Sequence, residues 1–485
     1  MSVPKSFLLV CMMCFFYCAS FSQSFIGFNS SAYAGVYSIV NNPAEILNHR
    51  SRADINLAGF FTQLGNNIIK VKPKASGDDD AAQRPDEVTK TGKVFFNTDV
   101  FGPSFLLRLS DRHAFAITTR ARAMANISGV GPNMLNLTIH DSVENSLVNV
   151  DLAMKDMSVK VHGWMELDFA YSREIGISDY GVWKAGINLK YLSGVAAATL
   201  STSDLSLTYN DSLYDPLTNR YRPAVSNVRG TINLGYTKNA DSIGDNYKDY
   251  LSFKNPGAGL DIGVSYEYRD EMQVYENIYS EDYRSYKWRV GASITDIGFI
   301  RYSHEPTGGF SKKFNGNTYY TDDLKPPSDS SKVQQMVNYY QRLFNVSERS
   351  TPITMQLPTA FHFTYDRNFN RWAGVQGQLN LPIHFKKLAD YSGTYNPMSI
   401  SVTPRAETSA FGIYMPFSYS TLYGFNMGLS VRLGVLVIGS GALLNTKFLN
   451  STRSADVYFI LRIPFLGYKP LKEINPRDKI GLYKY

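Results

Sequence analysis

Beyond its first eighteen residues the chain lacks cysteine. Its three cysteines are Cys11, Cys14 and Cys18, so a chain cut after them can hold neither a disulfide nor a thiolate metal site. Long hydrophobic runs are missing too. After the N-terminal stretch, no apolar segment reaches the ~20 residues that a membrane-spanning helix needs. Charge is not concentrated: 49 Lys and Arg stand against 42 Asp and Glu, with no basic block of the kind a nucleic-acid surface needs. The seven histidines are scattered from His49 to His384 without ligand spacing. No nucleophile elbow, phosphate-binding glycine loop or metalloprotease helix occurs. The sequence therefore predicts no enzyme, no metal, no cofactor and no nucleic-acid partner.

The N-terminus begins MSVPKSFLLVCMMCFFYCASFSQ. Lys5, an apolar run from Phe7 to Ala19, and the small residues Ser20 and Ser22 have the layout of a secretory signal. Residues 1–22 are expected to be removed, leaving Gln23 first. The run is short for a retained anchor. Phe15, Phe16 and Tyr17 before Cys18 lack the small side chains of a lipoprotein signal. The remaining chain is rich in aromatics, with 33 Tyr and 29 Phe. An exported, aromatic-rich chain without a membrane helix leaves two classes, a secreted all-β protein or a membrane barrel.

Segment after segment alternates apolar and polar residues, the signature of a strand. Val159, Val161, Met165, Leu167, Phe169 and Tyr171 share one face, and Lys160, His162, Trp164, Glu166 and Asp168 the other. Ala258, Leu260, Ile262, Val264 and Tyr266 oppose Asp261, Gly263, Ser265 and Glu267 in the same way. In a sandwich the apolar face turns inward; in a barrel it meets lipid. Many segments are near the ~9–11 residues that cross a bilayer at a tilt, and aromatics collect at their ends, as at Tyr266 and Tyr268, Tyr286 and Trp288, or Phe417 and Tyr419. Both features favour an all-β transmembrane antiparallel barrel over 53–465, with about fourteen strands. Short turns should alternate with long polar loops over 65–100, 127–158, 199–257 and 296–357. The stretch 270–284 is long for its side. Asp78, Asp79 and Asp80 lack the ligand spacing of a calcium loop and read as a solvated loop. Between Ser328 and Phe344, helical spacing of Val333, Met336, Val337, Tyr340 and Phe344 predicts one helix within a long extracellular loop.

Residues 31–60 read SAYAGVYSIVNNPAEILNHRSRADINLAGF. Asn42-Pro43-Ala44 leading into the first strand resembles the start of FadL-type outer-membrane barrels and of PorV, the related barrel of the type IX secretion system. WKAGINLKYLSG, GAGLDIGVSYEYR, WRVGASITDIGFIRY, LPTAFHFTYD and SVRLGVLVIGSGALL resemble a Bacteroidota family of outer-membrane barrels of unknown function. The resemblance implies a fourteen-stranded barrel with an N-terminal hatch (23–52) in the lumen. For FadL-type members it also implies sideways passage of hydrophobic molecules through the wall. Asn42, Pro43 and Ala44 also suit a plain tight turn. Unlike many such barrels, this chain continues beyond the last strand into a basic tail, 466–485, expected in the periplasm as a partner-binding or disordered end.

Arg120 and Arg122 on one strand should face Glu166 and Asp168 on the next as a lumen charge network, either filling the interior or lining a wet pore. Gly257, Gly259, Gly439 and Gly441 are candidate wall kinks, or bulges that merely curve the barrel. Two functions remain open: passage of a hydrophobic small-molecule ligand, or an outer-membrane scaffold holding a periplasmic or secretion-system protein. A secreted adhesin stands behind both. Outer-membrane lipid is a partner in either of the first two.

Overall fold

The computed structural model describes residues 24–465 apart from 30, 50, 72–81, 84–87, 111, 140–148, 155, 179, 239–254, 270–285, 303–306, 328–331, 351, 371 and 384–391. The expected signal peptide, Asp78–Asp80, the long 270–284 turn, His384 and the basic tail lie outside these residues.

Fourteen antiparallel strands form a closed barrel. In chain order the first wall strands are β1 (Ala53–Asn66), β2 (Gly92–Phe101 continued by Ser104–Ser110), β3 (His113–Val130), β4 (Ser158–Ser178) and β5 (Gly181–Asp215). After β6 (Arg220–Thr237), which stands above the wall, come β7 (Asn255–Tyr268) and β8 (Trp288–Tyr302). β9 (Thr307–Tyr320) also stands above it, followed by β10 (Ile353–Gln356 continued by Ala360–Asn368), β11 (Ala373–Pro382) and β12 (Ser399–Glu407). The wall ends with β13 (Phe411–Tyr414 and Phe417–Ser420), β14 (Gly424–Met427 and Leu429–Leu433), β15 (Leu436–Ser440) and β16 (Ser454–Phe465). β1 pairs with β2 on one side and with β16 on the other, which removes both sheet edges. At one barrel end the turns are tight; between β14 and β15, Gly434 sits at φ +56, the left-handed conformation that a two-residue hairpin demands.

The polarity of the wall is reversed relative to a soluble protein. Side chains such as Asp99, Arg120, Arg122, Glu166, Lys190, Arg289, Asp366 and Arg405 are buried, while Leu64, Phe105, Phe169, Leu189, Ile262, Ile400, Phe425 and Phe459 are exposed. A water-soluble sandwich could not tolerate that arrangement. Lipid outside and a polar interior require it. Trp183, Tyr266, Tyr268 and Trp288 form a contiguous aromatic belt, with Tyr268 stacked on Trp288 at 5.2 Å.

One expectation needs correction. The stretches 199–257 and 296–357 are not simply loops. β5 continues unbroken to Asp215, and its upper part pairs with β6, which pairs with β9. A short strand, Asn149–Met154, joins the other edge of β5. Beyond the bilayer both faces of a strand meet water, so STSDLSLTY loses the apolar alternation by which a membrane strand is recognised. The expected loop helix is present as α2 (Val333–Leu343), and the described residues also include the shorter helices α1 (Pro132–Ile139) and α3 (Asn445–Phe448).

Candidate functional site

Residues 24–29 and 31–49 fold inside the barrel near its short-turn end. Two 3-10 turns, Gly35–Val40 and Pro43–Asn48, carry the segment. Asn42 caps the second: its Oδ1 accepts from the Ala44 N–H at 2.9 Å, and Pro43 occupies the first position, where no amide is needed. The same side chain donates through Nδ2 to the Val264 carbonyl of β7 at 3.0 Å. A side chain that only made a turn would not need that second bond.

The wall under this turn is bare. Gly186 of β5 and Gly263 of β7 are directly paired. A Cβ on Gly186 would stand 2.4 Å from the Ala44 nitrogen, and one on Gly263 would stand 2.0 Å from Asn42 Oδ1. Gly291 of β8 adds a third contact, 3.0 Å from Asn42 Nδ2. Around this floor, Ser172 donates to the Ala44 carbonyl at 3.1 Å and Ser293 to the Asn41 carbonyl. Glu45 pairs with Arg289 at 2.9 Å and accepts from Asn48 at 2.6 Å, while Lys184 donates to Asn48. Burial pushes the Glu45 carboxyl above its ordinary range, against the pull of Arg289. At the other end of the segment, Ser31 donates to Glu407 at 2.5 Å and Tyr458 to the Ile26 carbonyl at 3.0 Å.

An aromatic layer lies between this segment and the wall. Phe25 meets Tyr37 at 4.9 Å edge-on and Phe61 at 5.4 Å, and Tyr37 meets Phe101 at 4.7 Å. Phe28, Tyr414 and Tyr458 complete the cluster. Tyr37 also reaches the wall itself. Its hydroxyl donates to Asn56 Oδ1 at 2.7 Å and lies where a Cβ on Gly59 would be, 1.8 Å away. At this point the wall is irregular on both strands. β1 shifts register against β16 between Asn56 and Ala58, and its ladder with β2 is interrupted at Gly102-Pro103 between the pairs Asn56–Ser104 and Gly59–Phe101. Side chains replace part of the ladder there: Asn56 donates to the Gly102 carbonyl at 2.8 Å, and Thr119 to the Pro103 carbonyl at 2.9 Å.

Farther along the lumen lies the charge network. Arg120 pairs with Asp99 at 2.7 Å and Glu166 at 3.3 Å; Arg122 pairs with Glu166 at 3.1 Å and Asp296 at 3.0 Å. Lys190 pairs with Asp261 at 3.0 Å and also with Asp296. Asp168 accepts from Thr118 at 3.0 Å and lies across from Lys190 in the ladder. Of the four charges singled out in the sequence, Arg120, Arg122 and Glu166 are in direct contact. Asp99, Lys190 and Asp296 join the network from outside that set, as does Asp261, which the alternation of its strand already places on the polar face. Alternation alone also places Asp99 and Lys190 on the lumen face. Asp296 could not be found that way, because its φ of +57 breaks the alternation at a bulge.

The long-loop end is also covered. Ser392-Gly393 pairs in parallel with β10, Thr394 bonds His162 Nε2 at 2.8 Å, and the Asn126 carboxamide holds the Tyr395 backbone, its Oδ1 accepting from the Tyr395 N–H at 2.9 Å and its Nδ2 donating to the Tyr395 carbonyl at 3.1 Å. His362 bonds Thr295 and Asn380. Gly257 and Gly259 lie in ladders paired on both sides, beside the register shift at Leu260/Ile262. Gly439 ends the pairing of β15 with β16 against Tyr458, and Gly441 lies against Ile26 of the inner segment. Among the described residues, no group of three or more His, Cys, Asp or Glu side chains could hold a metal ion.

These features define a transmembrane β-barrel whose lumen is filled by its own N-terminal segment and by buried ion pairs. The chain belongs to the Family of unknown function (DUF5723), matched over residues 43–441. No curated protein matches it. Similar solved structures include the Ralstonia pickettii toluene transporter TbuX, with 12% identity, 88% of this chain and 93% of that chain covered, and a TM-score of 0.40. A Pseudomonas aeruginosa FadL homologue shares 10% identity over 92% of this chain and 99% of its own, with a TM-score of 0.40. The Pseudomonas putida toluene transporter TodX shares 8% over 90% and 95%, with a TM-score of 0.33.

Proposed function

We propose that the protein resides in an outer membrane and passes hydrophobic small molecules, residues 24–49 acting as a movable hatch. The observation that carries this reading is the seat of Tyr37. It belongs to the inner segment, lies in an aromatic layer, and covers the place where β1 and β2 lose their regular ladder. Withdrawal of the segment would open an apolar chamber beside a weak point in the wall. An apolar solute could leave there towards lipid without crossing the buried charges. Asn42, Pro43 and Ala44 fix the resting position of the hatch, and the charge network keeps water and ions from following the solute.

The test is Tyr37→Ala in the full chain, reconstituted or expressed in cells and assayed with the apolar fluorophore N-phenylnaphthylamine. Faster uptake than with the unaltered protein is expected, with no comparable rise for a polar dye. Equal uptake of both dyes, or no change, would sink the proposal.

A second reading is favoured by one observation. β5, β6 and β9 carry the sheet far above the wall, with α2 packed on one of its faces through Val337, Tyr340 and Phe344. Such a platform suits a scaffold for a protein partner, including a secretion-associated one. Stoichiometric recovery of one protein with the detergent-purified barrel, lost on trimming this platform, would support that reading.

A further inference from the structure

The platform above the wall has an inner face continuous with the lumen. His162 and Lys160 share the lumen side of β4, and Lys160 is paired with Thr199 of β5. Thr199 pairs with Gly235 of β6, which pairs with Gly309 of β9; the next row on the same face is Ser201, Asn233 and Ser311. Leu234 and Phe310 point the other way, into the apolar cluster under α2. The inner face is therefore polar and small, and it looks into the mouth of the barrel.

One place on this face is hollow. At Gly235 and Gly309 two paired strands present no side chain. The chain returns beside them: the Arg349 N–H donates to the Gly309 carbonyl at 2.9 Å, and Ile353 stands over Gly235. The result is a cavity of about 270 Å³, with Thr199, Ser201, Asn233, Arg349 and Thr354 supplying its polar lining. Nothing in the backbone demands glycine at 235. Its φ is not left-handed, and a Cβ there would make only ordinary contacts, 3.4 Å from Thr199 Oγ1 and 3.7 Å from Ile353. What the glycine does is leave the space open.

The lining has a definite chemical bias. Among the described residues it contains one cation, Arg349, several hydroxyls and no carboxylate, alongside apolar residues such as Pro352 and Ile353. Ser311 donates to Asn233 Oδ1 at 2.7 Å, which turns the Asn233 amide N–H₂ into a donor for anything in the cavity. An arginine fork with a primary amide suits a carboxylate, and the hydroxyls suit further hydroxyls. The size is near the lower end for small-molecule sites, that of a single sugar ring.

We propose that this cavity is a binding site, in the barrel mouth, for a small hydroxylated carboxylate of the uronic-acid type. Arg349 and Asn233 hold the carboxylate; Thr199, Ser201 and Thr354 meet the ring hydroxyls. The site is independent of the passage proposed above and stands whether or not the hatch moves.

The experiment is titration of the full-length protein in detergent with glucuronate and with glucose, followed by calorimetry or saturation-transfer NMR. Saturable glucuronate binding is expected, with glucose weaker by about tenfold or more for want of the charged pair. Gly235→Val fills the cavity and should abolish binding while circular dichroism stays unchanged. Arg349→Gln should bring glucuronate down to the level of glucose. Absence of saturable glucuronate binding would overturn the proposal. So would equal affinity for glucose, or binding that survives both substitutions.

Discussion

Asn42 and Gly263 occupy each other's space: a Cβ on Gly263 would lie 2.0 Å from the Asn42 carboxamide oxygen. The Asn42 side chain cannot simply swing aside, because it is held at both ends, accepting from the Ala44 N–H at 2.9 Å and donating to the Val264 carbonyl at 3.0 Å. Gly263→Ala should push the Asn42 turn off its floor at a cost of about 1–3 kcal/mol. Hydrogen exchange over residues 41–48 should rise, with little change in the β3–β4 ladder. Unchanged exchange there would mean that the turn has another seat.

The charge network should be intolerant of single removals and tolerant of paired ones. Arg120→Met leaves Asp99 buried with only the longer 3.8 Å contact to Arg122, and should cost about 3–5 kcal/mol. Adding Asp99→Leu in the same chain should restore most of that loss. Chemical denaturation of the two variants measures it. Additive losses would show that the two residues do not act as a pair.

The tip of the platform has its own pH dependence. The Thr218 hydroxyl, the Leu217 and Thr218 amides and Arg222 hold the Asp215 carboxyl below the ordinary carboxylate value of 3.8. A depressed folded value stabilises the tip at pH above the unfolded value, and that stabilisation fades as pH falls through the folded one. Proteolysis or exchange at residues 215–220 should therefore stay flat down to about pH 4 and rise below it. Asp215→Asn should remove the dependence.

Much of the barrel is legible in the sequence because lipid enforces strict alternation. Phe169 and Asp168 can exchange faces only at great cost, so fourteen strands emerge from pattern alone. Legibility fails where the enforcing environment ends. Above the bilayer, Ser201, Thr202 and Ser203 are polar on both faces, and the strand reads as loop. At bulges such as Asp296 the alternation itself breaks. The seat of Asn42 was half visible: the capping asparagine and proline are a local signal, whereas Gly186, Gly263 and Gly291 sit in three separate strands. Each is an inward glycine in an otherwise regular strand, a pattern that marks close approach of another backbone, but only the closed barrel shows that all three face one turn.

The most direct test of the account is a tether between the inner segment and the wall. A Cβ on Gly441 would lie 2.7 Å from Ile26 Cγ2, so Ile26→Cys with Gly441→Cys places two thiols within bonding reach. The native cysteines all lie at or before residue 18, so in a chain cut after residue 22 no other thiol competes. Uptake of N-phenylnaphthylamine should be blocked in the oxidised double variant and return on reduction, while each single variant behaves alike under both conditions. Uptake that continues unchanged through the oxidised tether would contradict a movable hatch, and with it the proposed passage.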